Sequence, residues 1–159
     1  MTSNDSISIN MPAPAAGHRS WQETIMQVLF MLALAVHVLS GVFWAGSTFV
    51  LARTGDGRSA MSLFGPQMGA ATIAVLSGAL LWHIFHEGYF GSQERVLAIG
   101  AIAAIIAAGV QGALVGGARR QPVSADAVST PVRRAVRGER IAAVLLAITV
   151  IAMAISKMF

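Results

Sequence analysis

The sequence predicts an all-α fold: a polytopic integral-membrane bundle of four helices. Three observations carry this. The 159 residues are 55% hydrophobic and only 11% charged, whereas soluble domains run near ~25% charged. Four apolar runs each approach or exceed the ~20 residues that cross a bilayer. The arginines cluster between those runs. The net charge of +4 and the isoelectric point of about 11.1 therefore reflect membrane topology, not a nucleic-acid partner. No cysteine is present, which excludes disulfides, thiolate metal sites and thiol nucleophiles.

Residues 1–20 are polar, small and carry Pro12 and Pro14, so they read as a disordered tail ahead of a membrane domain over 21–159. No basic start followed by a short apolar core marks a cleavable signal peptide. The first span is expected at about 25–51, with Trp21 as an interfacial anchor. The polar stretch from Arg53 to Ser59 is rich in turn residues. The second span is expected at about 66–86. It opens on Pro66, whose missing N–H costs nothing in a first turn. It ends in an aromatic, titratable belt, Trp82-His83-Ile84-Phe85-His86-Glu87. The third span, about 96–117, repeats small residues every four positions: Gly100, Ala104, Ala108, Gly112 and Gly116. Such a stripe lets a neighbouring backbone approach closely. Gln111 is the one strongly polar residue inside this span. A loop over 118–140 holds six arginines, and the fourth span follows at about 141–158.

Four crossings put both termini on one side. Arg53, Arg58, Arg119, Arg120, Arg133, Arg134, Arg137 and Arg140 lie on the other side. The positive-inside rule then makes loops one and three cytoplasmic and leaves both termini outside, as expected for a bacterial inner-membrane protein.

His37 is the only ionisable side chain in the first apolar run. An imidazole deep in hydrocarbon must face the protein and find a partner. His37, Gly41, Trp44 and Thr48 share one helix face. Three roles are open to His37: a haem or copper ligand, a proton or substrate group, or a bridge to a neighbouring helix. A second set is His83, His86 and Glu87, on one face near the outer surface, where His83 and His86 are candidate metal ligands. The eight methionines are scattered and read as apolar filler rather than a copper path. No phosphate-binding loop, dinucleotide glycine fingerprint, serine elbow or His-Glu-x-x-His occurs, which argues against a conventional hydrolase or ATPase.

The pattern His37…Trp44-Ala45-Gly46…Arg53 resembles the first helix of the copper resistance D family and of the related HemJ-type protoporphyrinogen oxidases. Pro66…Thr72…Gly78 is similar to the HemJ second helix, and Arg137-Gly138-Glu139 to its Arg-x-Asn-Glu. The chain departs from that pattern in having no histidine in the third span, where Gln111 is the nearest polar group. The resemblance implies haem b on His37 and a membrane oxidoreductase. On that view His83 is the candidate opposite ligand, Trp44 and Thr48 line the pocket, and Arg53 pairs with a propionate or an anionic headgroup. Electrons would pass to or from quinone or a redox membrane protein, with a homo-oligomer as one arrangement. The alternatives are a copper-handling protein using His37, His83 and His86, and a non-catalytic accessory subunit.

Overall fold

The computed structural model describes residues 16–85, 91–122 and 130–158. The described chain is all helical. Helix α1 spans Ala16–Thr54, α2 Gly57–Phe85 and α3 Ser92–Gln111. A π-helical turn over Gly112–Gly116 and a short α4, Gly117–Arg119, continue the third rod. Helix α5 spans Thr130–Ile155 and ends in a 3-10 turn, Ser156–Met158. Four stretches are long and apolar enough to cross a membrane: Trp21–Thr54, Gly57–Ile84, Ser92–Arg119 and Thr130–Met158. The protein is therefore a multi-pass membrane protein of four spans in contact with lipid. The first fifteen residues of the expected tail lie outside the described residues; α1 already begins at Ala16.

The chain divides into two units, Met1–Leu32 and Ala33–Phe159. In the first, the described side chains from Trp21 onward are exposed, apart from half-buried Phe30. The second holds the rest of α1 and the other rods. Its interior is small: Ala71, Ala74, Ala107, Ala135 and Ala142 are buried. Its exterior is branched: Leu39, Val42, Leu76, Ile102, Val144 and Ile151 are exposed. This inverts a water-soluble core, because lipid already solvates large apolar side chains and only close packing holds the rods together.

The third and fifth helices pack most extensively. Each brings a glycine to the other. A Cβ on Gly100 would stand 3.1 Å from Ala152 Cβ, and one on Gly138 would stand 2.9 Å from Leu114 Cβ. Thr149 Oγ1 donates to Gly100 O at 2.9 Å. The packed face of the third rod is Gly100, Ala103, Ala104, Ala107, Gln111, Val115 and Ala118. The four-residue stripe read from sequence leaves this face. Steps of four drift about 40° per turn on a helix of 3.6 residues per turn, so Gly112 ends exposed with open space beside it.

Every rod begins earlier than its apolar run, and for α2 and α5 the cause is visible. Helix α2 starts at Gly57, which puts Pro66 inside the helix instead of in its first turn. The reason lies at the cap. Gly55 takes the left-handed conformation (φ 69°) and its N–H closes on Leu51 O at 3.0 Å, ending α1. Asp56 then accepts from the Arg58 and Ser59 backbone N–H groups at 3.1 and 3.0 Å, starting α2. The early turns bury Ala60 and Met61 in a cluster with Leu51, Val115, Val132 and Ala135, which offsets the lost proline hydrogen bond. Helix α5 starts at Thr130, so four arginines assigned to the loop lie on a helix instead. Arg133, Arg134, Arg137 and Arg140 occupy an arc of about 120° opposite the buried face, and all four are exposed. Arg140 Nε donates to Ala52 O at 3.4 Å, in the last turn of α1, where carbonyls lack intrahelical partners.

The Asp56 cap makes a pH-dependent contribution. The Ser59 hydroxyl hydrogen bond, followed by the Ser59 backbone N–H, holds its carboxyl below the usual carboxylate range. A lowered folded-state value means that the contribution is present above the unfolded value and is lost as pH falls through the folded one. Asp56→Ala should lower the melting temperature at neutral pH. In thermal unfolding series, that gap should close as the medium is acidified below the cap's titration.

Candidate functional site

Two polar constellations lie inside the Ala33–Phe159 unit. The first is built on His37, which is half-buried and turned toward α2. Its Nδ1 lies 2.9 Å from Ala74 O and 3.2 Å from Ser77 Oγ. A carbonyl oxygen only accepts, so Nδ1 carries a proton, and in the neutral imidazole the lone pair is on Nε2. The imidazole lies against Gly78, where a Cβ would sit 3.0 Å from His37 Cε1. A Cβ at Gly41, one turn along α1, would meet nothing within 4 Å.

The second constellation is a polar layer to which every span contributes. Trp44 Nε1 donates to Gln111 Oε1 at 2.6 Å. Gln111 Nε2 donates to Thr48 Oγ1 and to Glu139 Oε2, both at 3.0 Å. Gln67 Nε2 donates to Ser47 Oγ at 3.2 Å and to Thr48 Oγ1 at 3.3 Å. Thr48, Gln67 and Glu139 are fully buried and Gln111 nearly so. Two oxygens in this layer, Gln67 Oε1 and Glu139 Oε1, are buried without a hydrogen-bond partner. Apolar clusters close the layer on both sides. Trp44, Ala71, Ala74, Ala107, Ala142 and Leu146 lie toward one end. Leu51, Ala60, Val115, Ala118 and Ala135 lie toward the other.

The structure separates the residues that sequence grouped. Trp44 and Thr48 are joined to Gln111 and Gln67, away from the imidazole. Arg53 is exposed near the end of α1, sixteen residues and about 24 Å along the helix from His37. His83 is exposed and lies about 7.5 Å along α2 beyond Gly78, the level at which His37 is held. His86 and Glu87 lie outside the described residues. Among the described residues, no group of three or more histidine, aspartate or glutamate side chains is placed to hold a metal ion.

Sequence singles out Gln111 but gives Gln67 and Glu139 no role in a site. Glu139 is hidden among the arginines of the supposed loop. One signal does betray it: Val132, Ala135, Gly138, Ala142, Ala143, Leu146 and Thr149 recur at helical spacing through the arginine-rich stretch. An acid on that face is an intramembrane acid.

No family model matches the chain, and no curated protein or solved structure matches it.

Proposed function

We propose that this four-span protein binds b-type haem through Nε2 of His37 and serves electron transfer within the bilayer. One observation carries the reading: the Nδ1–H of His37 is committed to Ala74 O. Metal-bound histidines almost always donate their other ring N–H in this way, which fixes the tautomer and raises the basicity of the ligating nitrogen. Ser77 supports the same edge of the ring. Gly78 lets the imidazole lie directly against α2, and a Cβ at Gly41 would meet nothing within 4 Å. A bound haem would supply a one-electron couple. The resemblance to the copper resistance D and HemJ-type proteins favours the same ligand. In this reading the arginine-bearing end is cytoplasmic and both termini face outward.

The test is the absorption spectrum of purified full-length protein produced with haem available. We expect a Soret band that responds to dithionite, and its loss in His37→Gln. Glutamine offers an N–H toward Ala74 O but no imidazole to the iron, so the variant should still fold. A colourless wild type overturns the reading. Copper retained without a Soret band points instead to metal handling. A colourless wild type whose His37→Ala variant fails to fold while His37→Gln folds points to a helix bridge.

A further inference from the structure

The polar layer leaves two buried oxygens without a donor. The indole N–H of Trp44 can only donate, so Gln111 must turn Oε1 toward it and Nε2 toward Thr48 and Glu139 Oε2. This spends both Gln111 N–H bonds and leaves Glu139 Oε1 for a different partner. Gln67 is oriented by its hydroxyl neighbours. Ser47 gives its single hydroxyl proton to Trp44 O at 3.1 Å, so toward Gln67 it can only accept. Gln67 presents Nε2 to Ser47 and Thr48, with Oε1 on the other side. The Gln67 side chain lies beside the Glu139 carboxyl. The two oxygens left over, Gln67 Oε1 and Glu139 Oε1, are both acceptors and both buried.

We propose that Glu139 is a proton-binding site in the membrane interior, carrying its proton on Oε1 and donating it to Gln67 Oε1. One proton satisfies both orphaned oxygens and removes a net charge from a region where charge is costly. Among the described residues, no other titratable group faces the carboxyl. Helix α1 brings Trp44 and Thr48 to the layer, α2 brings Gln67 and α3 brings Gln111. On the carboxyl's own helix, Arg137 and Arg140 are exposed on the opposite arc, and Arg140 is engaged at Ala52 O. Loss of the proton sets a carboxylate against an amide oxygen. Gln67 would then turn Nε2 to the carboxylate and Oε1 to the Thr48 hydroxyl, so proton occupancy is linked to the contact between α1 and α2. The inference does not rest on haem at His37.

Infrared spectroscopy of the full-length protein in lipid nanodiscs tests it directly. At pH 7 in sodium chloride we expect a protonated-carboxyl C=O band that shifts in D2O and is absent in Glu139→Gln. In Gln67→Leu, where the acceptor is gone, the band should move to higher frequency. Glutamine at 139 reproduces the donor and acceptor pattern of the protonated acid, so that variant should keep the wild-type melting temperature. No band attributable to Glu139 overturns the proposal. A band that appears only when choline replaces sodium also overturns it, because a sodium ion would then be the occupant. Should Glu139→Gln fail to fold, a band insensitive to both D2O and Gln67→Leu is the overturning result.

Discussion

Replacing Gln111 with leucine should destabilise the bundle by about 3 kcal/mol, more than any other single change in the polar layer. Leucine is close to glutamine in size, so the effect is not a cavity. It strands the Trp44 indole N–H and Glu139 Oε2 together, and takes from Thr48 Oγ1 one of its two donors, leaving Gln67. Each buried orphan costs about 1–3 kcal/mol where neither water nor another partner reaches it. Interhelical hydrogen bonds in membranes average only about 0.6 kcal/mol, because the separated helices find other partners. That relief is small here, since apolar clusters seal the layer above and below. Trp44→Phe removes one bond and should cost about 1 kcal/mol. Denaturation in mixed micelles, followed by tryptophan fluorescence, measures both. A Gln111→Leu variant within about 0.5 kcal/mol of wild type would mean that apolar packing alone holds the rods.

The fold was legible because a bilayer leaves few solutions. A run of twenty apolar residues that must satisfy its own backbone is a helix, and four such runs make a four-span protein. The ends were less legible. Apolar length marks where lipid begins, but a cap and a packed face decide where a helix begins. Asp56 caps α2, whose first residue lies nine before Pro66, and the buried face of α5 extends through arginines that point the other way. The site was legible only in part for the same reason. His37 stood alone in an apolar run, so its inward bond to Ala74 was expected in kind. Trp44 and Thr48 share its helix face, but two turns of α1 lead to a different level of the bundle, and there they meet Gln67, Gln111 and Glu139. Face is read from periodicity; level depends on how antiparallel rods are registered, which the spacing within one rod does not contain. Glu139 needed both the longer helix and the register before it could be seen as intramembrane.

Gly57→Ala should cost about 1–3 kcal/mol, whereas Gly69→Ala and Gly109→Ala should be neutral or slightly stabilising. The substitution is chemically the same and the surroundings differ. A Cβ on Gly57 would overlap Val132 O and stand 3.0 Å from its carbonyl carbon. These are backbone atoms at the start of α5, so relief requires the two helices to separate. Separation would draw Val132 and Ala135 away from Ala60 and Met61 and loosen the cluster that closes the polar layer at this end. Beside Gly69 and Gly109 there is nothing within 4 Å. There only helix propensity operates, and it favours alanine over glycine by about 0.5–1 kcal/mol. Gly138→Ala is the intermediate case, because its Cβ would press on Leu114 Cβ at 2.9 Å and Val115 Cγ2 at 3.0 Å, and the valine can rotate. The expected order of melting temperatures is therefore Gly69→Ala and Gly109→Ala at or above wild type, then Gly138→Ala, then Gly57→Ala. If Gly57→Ala melts with Gly69→Ala, the close approach of α2 to α5 at Val132 is not what seats these two helices.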